Sequence, residues 1–266
     1  MRFLKMRFLF ISMMFCAFAT TLNGQVNTEK FRKFSDKEGF LFNAGFRFGY
    51  SSGNSEYLTV DGTARLDYNG NKNDAFLVGN YDFKQTNEAK VTNKGFLHLR
   101  GIHHFSANFA GETFVQQEFN EFLLLADRKL IGAGGRYQWI NYLSPNDSVS
   151  GFASNLGLGL MLEHEVYNTG EDKKTTITLD PVRVTSYLTL DWAITDRINA
   201  WGVIYFQPDI TKIHNFRSIA ETGMEIWLIG RMYFTIDLSY RYNNEPVGNV
   251  KNYDLVIKNG LRISIP

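Results

Sequence analysis

From Phe40 onward the chain alternates between apolar and polar residues. In the stretch 40–50 one set is Phe40, Phe42, Ala44, Phe46, Phe48 and Tyr50; the other is Asn43, Gly45, Arg47 and Gly49. Successive side chains of an extended strand point to opposite sides, so this spacing predicts a β-strand with one apolar and one polar face. The pattern returns at 58–68, 231–242 and 253–265, and in weaker form at 74–85, 94–105, 110–121, 129–140, 150–166, 175–192, 197–207 and 215–228. Counted this way the chain holds about twelve strands.

The connectors alternate as well. Those at 52–55, 85–93, 122–128, 167–174, 208–214 and 243–251 follow the odd strands. Those at 69–73, 106–109, 141–148, 195–197 and around Gly230 follow the even strands and are generally shorter. Short turns at one end and longer loops at the other are the habit of an outer-membrane barrel with both termini in the periplasm.

The polar face carries charge in mid-strand. Arg47 lies on the first strand, Asp61 and Arg65 on the second and Asp82 on the third. His98 and Arg100, then Glu118, Arg136, Glu163 and Arg183 continue the series. Glu221 and Glu225, Asp237 and Arg241, and Lys258 and Arg262 complete it. A water-soluble sandwich also alternates, with its polar face in water. Mid-strand charges of both signs point instead to an enclosed lumen, where they pair across strands. Closure satisfies every backbone group and is the only β solution in a bilayer. The expected fold is therefore all-β, a transmembrane antiparallel β-barrel over residues 39–266, with these side chains lining its lumen. Tyr50, Tyr68, Tyr81, Trp139, Tyr142, Tyr167, Trp192 and Tyr242 fall near strand ends, where interfacial girdles place such rings.

The N-terminus adds an address. Arg2, Lys5 and Arg7 precede an uncharged apolar run at 8–19. The run is shorter than the roughly 20 residues a spanning helix needs, and residues 1–24 read as a signal peptide. Cleavage fits after Ala19 or after Gly24. Residues 25–38 form a short polar periplasmic lead-in. The expected location is the cell outer membrane of a Gram-negative bacterium. Cys16, the single cysteine, lies in the signal, so the exported chain has no disulfide to hold it.

Composition narrows the classes. The chain has 44% hydrophobic, 15% aromatic and 21% charged residues, with 23 Gly and 5 Pro. A mean hydropathy of −0.22 is too polar for a bundle of membrane helices. The formal charge of +1 turns slightly acidic once the basic signal is removed, which leaves no electrostatic footprint for nucleic acid.

Three short motifs invite chemistry. His104-Phe105-Ser106-Ala107-Asn108 resembles the His, Ser and Asn set of twelve-stranded outer-membrane phospholipases, but Ala107 interrupts it and it falls in a turn at the periplasmic end. His98, His103 and His104 lack the i, i+2 spacing that puts two ligands on one strand face. Gly132-Ala133-Gly134-Gly135-Arg136 lies inside a strand with no helix after it, so it reads as small residues relieving crowding, not a dinucleotide loop. No catalytic residue, cofactor or metal is expected.

Several stretches together resemble a known family: Gly53-Asn54-Ser55, Leu97-His98-Leu99-Arg100, the run Phe114-Val115-Gln116-Gln117-Glu118-Phe119-Asn120, and Asp127-Arg128-Lys129-Leu130-Ile131-Gly132-Ala133-Gly134-Gly135-Arg136-Tyr137. The chain resembles the YdiY-like, or salt-induced outer-membrane protein, family (domain of unknown function 481). The resemblance covers most of residues 40–266, with its specific motifs in 95–137. It implies an outer-membrane barrel and supplies no catalytic residues. The ending Ile263-Ser264-Ile265-Pro266 departs from the aromatic terminus common among such barrels.

Two functions remain open. One is a narrow passive channel for small polar solutes, with Arg100, Glu118, Arg128 and Arg136 bordering the path. The other is a structural or stress-related envelope barrel without transport; a lipid-active enzyme comes third. The expected partners are outer-membrane lipids, the barrel insertion machinery and, for a channel, small polar solutes.

Overall fold

The structure is a computed structural model describing residues 38–54, 56–87, 89–143, 150–169 and 175–263. The expected signal peptide at 1–24 and nearly all of the expected lead-in at 25–38 lie outside the described residues, as do 264–266.

Thirteen strands form one antiparallel sheet. They are β1 Gly39–Ser51, β2 Tyr57–Asn69, β3 Asn73–Thr86, β4 Ala89–His104, β5 Phe109–Asn120, β6 Leu125–Leu143 and β7 Gly151–Thr169. There follow β8 Thr175–Leu179, β9 Val182–Ala193, β10 Ile198–Pro208, β11 Phe216–Ile229, β12 Met232–Asn243 and β13 Tyr253–Ile263. Each strand pairs with its chain neighbour, except that β7 pairs with both β8 and β9 along one edge. No helix among the described residues is long and apolar enough to cross a membrane.

The alternation maps onto two faces, and their burial is the reverse of a water-soluble protein. Arg183 and Arg128 are 1% and 2% exposed, and Glu165 is fully buried. On the opposite face Leu158 is 66% and Ile131 57% exposed. Buried charge is tolerated only when paired, and an apolar face left this open marks an interaction surface.

Three details differ from the pattern-based expectation. The stretch 175–192 is interrupted at Asp180-Pro181, giving β8 and β9. Proline has no amide to donate, although its carbonyl still accepts from the Glu163 N–H at 3.1 Å. The connector expected at 85–93 is mostly strand. β3 and β4 run to a tight turn where Asn87 takes φ 45°, a left-handed conformation that asparagine tolerates. The connector expected at 122–128 shrinks to a single 3₁₀ turn, Glu121–Leu123. Asn120 caps it by accepting from the Phe122 N–H at 3.1 Å, and Leu124 ends it at φ 58°.

Closure also differs. β1 and β13 are the two edges of the sheet, and no pairing joins them among the described residues.

Candidate functional site

All the residues expected to line the lumen fall on the charged, concave-facing side. Cross-strand registers place them there: Arg47 opposite Asp61, Asp61 opposite Asp82, and Asp237 opposite Lys258. Their environments differ. Arg47 is 82% exposed beside Asp61 at 3.9 Å, whereas His98, Arg100, Glu118, Glu163, Arg183, Glu221 and Arg241 are buried. Arg65 pairs with Asp67, Lys94 with Asp82 at 3.5 Å, Arg241 with Glu221 at 2.6 Å, and Arg262 with Glu225 at 2.7 Å. Arg136 is half-buried on β6.

The densest cluster sits where β5, β6, β7, β9 and β11 face one another. Arg128 donates to Glu118 at 2.6 Å and to Glu163 at 2.5 Å, with its Nε 3.2 Å from Glu165. Arg217 donates to Glu165 through two nitrogens, at 2.5 and 3.0 Å, and also reaches Glu163 at 3.3 Å. Arg183 Nε donates to Glu163 at 3.3 Å, while its other nitrogens reach the carbonyls of Gln207 and Asn215 and the Asn215 side chain. The Tyr167 hydroxyl donates to Glu165 at 3.0 Å and accepts from Arg217 at 3.1 Å. Three guanidinium groups thus meet three carboxylates, and the lattice is neutral. Arg217 crosses to β7 over the two intervening strands, so the side chains span the interior and do not merely line it.

The network continues from Glu118 to Gln116 at 2.8 Å and on to His98 Nδ1 at 3.0 Å. Gln116 already spends its amide on Glu118, so its carbonyl oxygen accepts, and His98 carries its proton on Nδ1. A second branch pairs Arg100 with Glu112 at 3.0 Å, and Tyr187 of β9 donates to Glu112 at 3.2 Å. Arg100 lies over the rings of Phe114 at 5.2 Å and Phe76 at 5.9 Å. Cavities here are small: about 50 Å³ beside His98 and Arg100, and about 60 Å³ beside Arg128, Arg217 and Arg241.

The sequence reading missed part of this cluster. Glu165, Tyr167 and Arg217 sit at the loop-side ends of their strands, where the pattern fades, and Tyr167 was expected in an interfacial girdle. It is 6% exposed and belongs to the lattice instead. The alternation that selected Glu163 also selects Glu165 and Tyr167, since i, i+2 and i+4 share a face. The other rings named for the girdle are exposed or half-buried at strand ends.

The short motifs have local partners. Ser106 Oγ accepts from the Phe109 N–H of its own turn at 3.1 Å, and His104 meets Asp74 at 2.8 Å. His103 meets Asn73 at 2.7 Å, and His98 is inside, so the three histidines do not converge. The glycine run is a close approach of strands: a Cβ on Gly134 would lie 2.5 Å from the Leu158 carbonyl oxygen, and one on Gly132 2.3 Å from the Phe114 ring.

An inside-out sheet with an internal charge lattice is the setting in which comparison with known proteins bears. Against models of protein families, residues 43–265 match the family described as a protein of unknown function, DUF481. The chain belongs to that family. Its match covers the sheet from β1 through the last strand, the same span the sequence resemblance covers. No curated protein and no solved structure gives a significant match.

Proposed function

We propose that this DUF481 chain is a non-enzymatic outer-membrane barrel whose interior is stopped by its own side chains, a structural or stress-related envelope protein without an open transport path. The observation that carries this reading is the inversion of burial. Paired Arg and Glu fill one face, and Leu, Ile and Phe cover the other. An apolar convex face is stable against lipid tails, and closed strand pairing is how a sheet meets a bilayer. The leader at 1–24 supports export.

The lattice supports the closed reading over the channel. A pore for polar solutes needs a continuous path of at least solute width, and the cavities beside Arg128, Arg217 and Arg241 and beside His98 and Arg100 are small, at about 60 and 50 Å³. Partners in this reading are outer-membrane lipids and the barrel insertion machinery.

The test is refolding of the full chain into vesicles, followed by planar-bilayer recording. Protease-resistant, heat-modifiable protein with no conductance steps is expected. Discrete steps altered by Arg100→Ala or Glu118→Gln would establish the channel instead, and protein that stays soluble without detergent would end the membrane reading.

A further inference from the structure

The interior is not filled at every level. At the end where the β6–β7, β9–β10 and β11–β12 connections lie, a cavity of about 490 Å³ opens. That is within the roughly 300–1,000 Å³ typical of small-molecule sites. Its space has a cause in the sequence: Gly151, Ala153 and Ala193 stand where other levels carry Arg, Glu or aromatic side chains. One cross-strand row runs Asp191, Trp201, Gly223, Asp237, each opposite the next. The adjoining row runs Ala193, Asn199, Glu225, Thr235.

Trp201 is folded down onto the wall. A Cβ at Gly223 would lie 2.3 Å from Trp201 Nε1 and 2.7 Å from Asp237 Oδ1, so only glycine lets the indole rest there. The indole also packs against the Tyr187, Val203, Tyr205 and Ile219 cluster, which lies between these rows and the ion-pair lattice. The cavity thus opens to the outside at this end, with Trp201 among its lining and Asn141, Asp191, Asn199, Glu225, Thr235 and Asp237 as its polar groups.

We infer that this cavity is a binding site for a small saccharide, a pyranose ring stacked on Trp201 with its hydroxyls held by Asp191, Asp237 and the Asn199 amide. A pyranose has an apolar C–H face and a rim of hydroxyls that both donate and accept. An indole face ringed by carboxylates, which accept, and amides, which do both, is complementary to it. An organic cation would use the indole and the carboxylates, but it leaves the amides idle. The negative field is also already reduced: Lys258 stands opposite Asp237, and Arg262 holds Glu225 at 2.7 Å. The site is independent of whether the bore conducts.

The experiment is titration calorimetry on the full chain refolded in detergent, with maltose, cellobiose and diacetylchitobiose as probes and tetramethylammonium as the cationic comparison. At least one sugar is expected to bind with a Kd of order 1 mM. Trp201→Ala and the pair Asp191→Asn with Asp237→Asn are expected to weaken it at least about tenfold. Because loss of Trp201 removes packing as well, Ala193→Phe serves as a second variant: it fills the space, removes no polar group and is expected to abolish binding with heat-modifiable mobility retained. Absence of heat with all three sugars at about 20 mM overturns the proposal. So does sugar binding that survives both Trp201→Ala and Ala193→Phe, or binding of tetramethylammonium alone.

Discussion

Glu165 has no exposed surface, and its charge persists there because Arg217 meets it with two nitrogens and Tyr167 with a hydroxyl. Removing one partner of such a group leaves an uncompensated buried charge, which costs about 3–5 kcal/mol, whereas replacing both with apolar groups is often neutral. Arg217→Met is therefore expected to destabilise the protein by about that amount in reversible denaturant unfolding. Adding Glu165→Leu should recover a large part of the loss. Gly157 gives a steric counterpart. A Cβ there would lie 2.1 Å from the Tyr187 ring, so Gly157→Val must turn that ring away from Glu112. A cost of about 1–3 kcal/mol is expected from the overpacking, read from the same unfolding curves.

At the scale of elements, the two-residue interruption at Asp180-Pro181 separates strands with different support. β9 pairs on both edges, while β8 pairs with β7 alone and is exposed throughout. Amides of β8 should therefore exchange with solvent well before those of β9, a difference that hydrogen exchange measures directly. The loop after β10 has a titratable anchor. Burial pushes the Asp209 carboxyl up, but the Thr211 hydroxyl and amide bonds, at 2.7 and 2.8 Å, and the nearby Arg183 charge outweigh it and hold it below the ordinary carboxylate range. Because the folded value lies below the unfolded one of about 3.9, the stabilisation is complete above that pH and is lost as pH falls through the folded value. Exchange at residues 209–215 should thus be flat from neutral pH to about 4, after correction for intrinsic rates, and accelerate below it. Asp209→Asn should abolish the acid step.

For the whole molecule, the unpaired edges are the decisive feature. β1 and β13 carry matching faces, and with an even number of strands on the path they run antiparallel. In a bilayer, unpaired edge amides and carbonyls cost several kcal/mol each, so insertion should drive the seam shut. Setting Arg47 opposite Asp254 places opposite charges together inside and puts Phe46 beside Leu255 and Phe40 beside Leu261 outside. A shift that sets Arg47 opposite Lys258 is repulsive. In this register Gly45 faces Val256. Gly45→Cys with Val256→Cys is expected to crosslink in vesicle-inserted protein, visible as a change in unfolded gel mobility on reduction. Crosslinking of Gly45→Cys with Lys258→Cys in its place would show another register.

The alternation along the chain determined most of the strands and which residues share the charged face, because side-chain direction in a strand depends only on parity. The break at Pro181 was missed because the pattern is extended on both sides of it. Parity cannot show how far a side chain reaches across the interior. That Arg217 meets Glu165 from the far side of two intervening strands, that Tyr167 turns inward to join them, and that Gly223 makes room for Trp201 depend on the curvature of the sheet. Curvature is set by all the strands together, so the reach of the ion-pair lattice across the interior, the cavity at one end and the open seam belong to the tertiary structure alone.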